Sequence, residues 1–132
     1  MPKIMLVEDD ATMVSLLQTL LQMEGYQVVK MKDETLESIM SIVRQEEPDL
    51  ALVDVHLKEL NGFDILSILL KERASAGMGV VMSSGLECRS QCLQYGADDF
   101  ILKPYMPDDL IAVIHKTLQA KEQEMRMREK RG

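Results

Sequence analysis

Tryptophan is absent, and only three Tyr and two Phe occur among 132 residues. Leu, Ile, Val and Met must therefore fill any core, and eleven Met make that core adaptable rather than rigid. Cysteine is scarce. Cys88 and Cys92 are the only two, spaced i, i+4 on an expected helix. This excludes a disulfide-stapled scaffold. The spacing lacks the CxxC pattern or the added His of a redox or metal pair, so two reduced thiols are expected. No apolar run approaches the length of a membrane span, so no membrane partner is expected. The N-terminus opens directly into a strand pattern without a signal-peptide layout, and a cytoplasmic location is expected. Positive charge is in deficit: 15 Lys and Arg against 22 Asp and Glu leave a net charge of -7. Direct nucleic-acid binding by this domain is therefore not expected.

What is present suits one α/β domain, since 132 residues with 46% hydrophobic content can build a single core. Apolar strand-like runs alternate with segments of helical period. Strands are expected at Lys3–Val7, 27–31, 50–53, 79–83 and Asp99–Leu102. Helices are expected at 11–24, 34–45, 63–72 and 86–95, with a last one beginning near Asp108 after Pro107. Asp10 and Asp33 are read as N-caps, Gly25 and Gly96 as stops, and Pro48 as a breaker. Met13, Leu16, Leu17, Leu20 and Leu21 form the apolar stripe of the first helix. Leu36, Ile39, Met40 and Val43 form that of the second. Five βα units imply a parallel sheet with helices on both faces and right-handed crossovers. The length suits a flavodoxin-like (βα)5 fold of strand order 2-1-3-4-5, whose switch point lies between the first and third strands.

The ends of those strands carry the chemistry. The run 4–7 ends in Glu8, Asp9 and Asp10; the run 50–53 ends in Asp54; the last strand ends in Lys103 and Pro104. In an open parallel sheet the carboxyl ends share one edge, where ligands bind. Clustered carboxylates repel and call for a divalent cation, and a lysine beside them can receive an anion such as phosphate. Asp10 reads better as a helix cap, and Phe100 alone reads as core. His115 reads as a surface histidine.

Taken in order, these marks resemble the receiver domain of bacterial two-component response regulators, over Met1 to about Gln119. They are Glu8 and Asp9 after the first strand, Asp54 after the third, Gly62 eight residues later, Ser84 after the fourth, and Phe100 three residues before Lys103 and Pro104. The resemblance implies that Asp54 accepts a phosphoryl group from a histidine kinase or phosphotransfer protein. It implies that Glu8, Asp9, Asp54 and the backbone carbonyl of His56 hold Mg²⁺ (or Mn²⁺). Ser84, Gly85, Phe100, Lys103 and Pro104 would bind the phosphoryl group or relay the change, with a cis bond before Pro104. The implied protein is a switch rather than an enzyme. Its output face would be the fourth helix, fifth strand and fifth helix, which could also pair two copies. The chain departs from the family at Lys58, where Pro is usual, and at Ser84, where Thr is frequent. His56 and Leu86 are less common choices at positions that tune phosphate lifetime.

Two rivals are weaker. A phosphatase of the haloacid dehalogenase type needs a second Asp where His56 stands. A flavodoxin needs a hydroxyl- and glycine-rich loop after the first strand, and three acids there would repel FMN. Residues 1–119 are expected to form the receiver domain, and 120–132 a charged extension of the last helix linking to an output domain not in this chain. The chain is then either a stand-alone regulator or a receiver cut from a longer protein.

Overall fold

Short β-rich apolar runs become the sheet of this protein, seen in a computed structural model that describes residues 1–131, with 73–76 described by backbone alone. The strands among the described residues are β1 (Lys3–Val7), β2 (Gln27–Lys30), β3 (Leu50–Asp54), β4 (Gly79–Ser84) and β5 (Asp99–Leu102). The helices alternating with them are α1 (Ala11–Met23), α2 (Leu36–Glu46), α3 (Gly62–Ala76), α4 (Arg89–Gln94) and α5 (Pro107–Arg131). All strand pairs are parallel, in the order β2-β1-β3-β4-β5. This is the expected flavodoxin-like order. β3 and β4 are buried along their whole length, which explains their lack of polar alternation.

Side chains alternate across the sheet and build two cores. Met5, Val7, Ala51, Val53, Val80 and Met82 pack with Ile39, Val43, Ile65, Leu69, Cys92 and Phe100, so α2, α3 and α4 cover that face. Ile4, Leu6, Leu50, Leu52, Val81 and Ile101 pack with Leu17, Leu21, Leu110 and Ile114 under α1 and α5.

The helix ends have local causes. Asp10 caps α1 by accepting from the Thr12 and Met13 amides, and Gly25 takes φ +91° just past its end. The cap of α2 is Thr35, not the expected Asp33, and its hydroxyl accepts from the Ser38 amide. Glu34 is thereby left outside the helix. Leu16 does not face the core: it is 63% exposed, because the buried stripe of α1 is only Leu17 and Leu21 wide with Met13 and Leu20 at its margin. Leu36 is likewise partly exposed, at 36%. α4 starts at Arg89 rather than 86, since the Leu86 amide is drawn to Ser84 Oγ at 3.0 Å. α3 runs on to Ala76, past the expected 72.

α5 has 25 residues and is about 37 Å long at 1.5 Å per residue. Beyond residue 119 it is not free of the body at first. Lys121 pairs with Asp98 at 2.8 Å and Glu124 at 3.2 Å. Met125 lies over Gly77, where a Cβ would meet its sulfur at 2.8 Å. No described helix is long and apolar enough to cross a membrane.

Candidate phosphoacceptor and metal site

The carboxyl edge between β1 and β3 gathers three acids, as the strand order requires. Glu8, Asp9 and Asp54 each offer an oxygen within 4.8 Å of the others. Each acid is aimed by the backbone around it. Glu8 is buried, and its Oε2 accepts from the Asp9 and Asp10 amides at 2.9 and 3.3 Å, at the start of α1. Asp9 Oδ2 accepts from the Lys58 amide at 2.7 Å. Asp54 is buried, and its Oδ1 accepts from the His56 amide at 3.1 Å. Lys103, delivered by β5, reaches both buried acids: Nζ lies 2.7 Å from Glu8 Oε1 and 3.3 Å from Asp54 Oδ2.

The loop after β3 closes tightly over the strand end. The Gly62 amide donates to Val55 O at 2.9 Å. A Cβ on Gly62 would sit 2.6 Å from both Asp54 O and Val55 Cα. Only glycine allows that approach.

Charge balance shapes the acids. Burial raises the Glu8 carboxyl above its ordinary value, Asp54 adds to the rise, and Lys103 opposes it without cancelling it. Burial works against the charge on Lys103 too, but its bonds to Glu8 and Asp54 win and raise it. Burial also works against Asp9, yet the Lys58 amide holds it below the usual range. The cluster thus holds more negative charge than one lysine balances. Three carboxylates with hard oxygens fit a divalent cation of the Mg²⁺ kind.

The remaining expected residues sit around this cluster. Ser84 is fully buried, and its carbonyl accepts from the Lys103 amide at 2.8 Å. Gly85 is exposed. Phe100 is fully buried in the core rather than beside the acids. The Lys103–Pro104 peptide is cis. The side chains of His56 and Leu86 face solvent.

Two residues were missed. Arg89 lies over the Phe100 ring at 5.8 Å and bonds Phe100 O and Asp99 Oδ1, each at 2.8 Å. Nothing in the sequence marked it. Glu34 accepts from the Glu59 amide and lies against Asp9. It read as a helix residue; the competing cap signal at Thr35 could have revealed it.

Fold and site together define an open parallel α/β sheet with three acids and a lysine at its carboxyl edge. A family model for the response regulator receiver domain matches residues 4–115. The chain is 33% identical over 125 residues to the DNA-binding response regulator MtrA of Mycobacterium tuberculosis, covering 92% of this chain and 53% of that protein. It is 32% identical over 117 residues to the probable transcriptional regulator ycf27 of Porphyridium aerugineum, covering 89% of this chain and 48% of that one. It spans about half the length of the curated relatives it matches. Among solved structures, a CheY-like response regulator receiver domain protein from Methanospirillum hungatei superposes with a TM-score of 0.83 at 30% identity, covering 94% of this chain and 98% of the other. The N-terminal domain of the nisin resistance regulator NsrR gives 0.75 at 31% identity, covering 89% and 97%. The chain belongs to the response regulator receiver domain family. It is a phosphoacceptor domain of two-component signalling, the class that histidine kinases serve.

Proposed function

We propose that Asp54 is the phosphorylated residue and that the phosphohistidine of a kinase or phosphotransfer protein is its donor. The convergence of Glu8, Asp9, Asp54 and Lys103 on one edge carries this reading. An Asp54 carboxylate oxygen attacks phosphorus. The O–P bond forms as the P–N bond breaks, and the imidazole nitrogen keeps the electron pair and gains a proton. Glu8, Asp9, Asp54 and the His56 carbonyl would hold Mg²⁺ or Mn²⁺, which offsets charge on the transferred phosphoryl group when bound. Lys103 supplies a fixed positive charge beside Asp54. Ser84 Oγ accepts from Leu86 and so keeps its own proton to donate to a phosphoryl oxygen.

Drawing Ser84 toward that oxygen would pull on residues 85–88, whose far end carries Arg89 over Phe100. The face of α4, β5 and α5 would shift in response. Leu93, Tyr95, Leu102 and Met106 are exposed in this region, in keeping with a second copy or an output partner binding there. Residues 1–119 would act as the receiver and 120–132 as a linking extension of α5. The protein would work in the cytoplasm as a switch, with no separate substrate of its own.

The test is incubation with acetyl phosphate and Mg²⁺, followed by intact mass. One phosphoryl adduct is expected. An adduct that persists in Asp54→Asn, or that forms in excess EDTA, would refute the reading.

A further inference from the structure

Position 58 lies four residues after Asp54 and is Lys, so it carries a backbone N–H that Pro would lack. That N–H donates to Asp9 Oδ2 at 2.7 Å. The next amide, that of Glu59, donates to Glu34 Oε2. Glu34 comes from the segment before α2, and Thr35 rather than Glu34 caps that helix. Two consecutive amides of one loop are therefore gripped by carboxylates from two other parts of the chain.

The position of Glu34 is costly unless something offsets it. Its side chain lies against that of Asp9, and its second oxygen, Oε1, is buried with no donor to meet it among the described residues unless the two acids share a proton. A fourth carboxylate beside Glu8, Asp9 and Asp54 adds repulsion that Lys103 already fails to balance. A surface loop needing only an acceptor for Glu59 gains nothing from that placement. A cation site does, because its ligands need orienting groups behind them.

We propose that Glu34 is a positioning residue for the cation site. It clasps the loop that follows Asp54, so that Asp9 and the backbone of residues 56–59 are held in register before a cation arrives. The clasp supplies the stiffness that Lys58, in place of a proline, does not. This inference rests on the acid cluster being a cation site.

The experiment compares Glu34→Ala and Glu34→Gln with the wild type. Mg²⁺ affinity is measured by calorimetry, and hydrogen exchange at the Lys58 and Glu59 amides is measured without metal. Circular dichroism checks folding, which the intact Thr35 cap should preserve. E34A should lower Mg²⁺ affinity by about tenfold and speed exchange at Glu59. E34Q keeps a carbonyl acceptor for the Glu59 amide, so it should retain slow exchange and most of the affinity. Wild-type exchange and affinity in E34A would overturn the proposal. So would an E34Q loss as large as that of E34A, since that would be a charge effect without positioning. A wild type that binds no Mg²⁺ would overturn the reading of the site itself, and this role with it; normal wild-type binding beside an unaffected E34A would overturn the role alone.

Discussion

Three glycines separate contact from conformation, and the same substitution should act differently at each. At Gly62 an added Cβ would lie 2.6 Å from Asp54 O and Val55 Cα and 2.9 Å from Val55 O, all backbone atoms. Ordinary contact begins near 3.4 Å, so the loop must retreat by most of an ångström. Forcing a methyl into such a space costs about 1–3 kcal/mol. The retreat also weakens the bond from the Gly62 amide to Val55 O, for about 1 kcal/mol more. At Gly25 nothing among the described residues lies within 4 Å, but φ is +91°. The penalty there is conformational alone, about 1–2 kcal/mol. At Gly85 there is neither a neighbour within 4 Å among the described residues nor a positive φ. Gly85→Ala should be neutral or stabilise by about 0.4–1 kcal/mol, by restricting the unfolded chain.

Urea unfolding and thermal melts, both followed by circular dichroism, measure all three. For a chain of this length, 1 kcal/mol moves Tm by about 3–4 °C. Gly62→Ala should therefore lower Tm by about 6–16 °C, while Gly85→Ala should not lower it. Only Gly62→Ala should also weaken Mg²⁺ binding, because the atoms displaced belong to Asp54 and Val55. A Gly62→Ala variant no less stable than Gly25→Ala would refute the contact argument. A Gly85→Ala variant as damaged as Gly62→Ala would show that glycine is needed for another reason.

Lys103→Ala should cost about 2 kcal/mol in EDTA, below the 3–5 kcal/mol of a fully buried broken pair because Lys103 remains partly exposed. Millimolar Mg²⁺ should shrink that loss by replacing the positive charge, and an equal loss with and without Mg²⁺ in urea titrations would contradict this. Burial, helped by Cys88, pushes the Cys92 thiol up to about 12 from an ordinary 9.0. The folded state thus keeps a proton that the unfolded state releases, so this contribution to stability is full below about pH 9 and is lost as pH rises toward 12. Native protein at neutral pH should therefore take iodoacetamide at Cys88 and not at Cys92, and equal labelling of both without denaturant would refute it. Decay of phosphorylated protein after donor removal should quicken in the double variant His56→Asn, Leu86→Glu, since both exposed side chains are expected to flank the path of attacking water. An unchanged or slower decay would count against obstruction.

The sheet and the acid site were readable because β1 and β3 run into acids that have no structural reason to be there. Buried runs at 4–7 and 50–53 stop at Glu8 and Asp54, and strand order alone then brings those acids together. Asp10 and Gly25 bounded α1 through signals that act within a few residues. Errors arose where two local signals competed or a distant group decided. Asp33 and Thr35 both offer caps, and the pull of the Glu59 amide on Glu34 favours the later start. Helical period at 86–88 lost to Ser84, whose hydroxyl captures the Leu86 amide. Leu16 matched the stripe by spacing, but α1 buries a narrower face than the stripe suggests. Glu34 meets a partner 25 residues on, and Arg89 meets partners 10 and 11 residues on in another element, which periodicity does not encode.

The pairing of Lys121 with Asp98 gives α5 the mechanics of a lever. The salt bridge pins the rod near its middle to Asp98, just before β5, while its first turn follows the Lys103–Pro104 corner. Met125 rests over Gly77 one turn further on, so about 9 Å of helix extends past the last of these two contacts. A tilt of about 10° at the first turn would swing the far tip by roughly 1.5 Å in the opposite sense, from the same rise per residue. Anything joined to the tip would feel the reverse of the motion at the site, and loosening Lys121 would turn a stiff arm into a slack one.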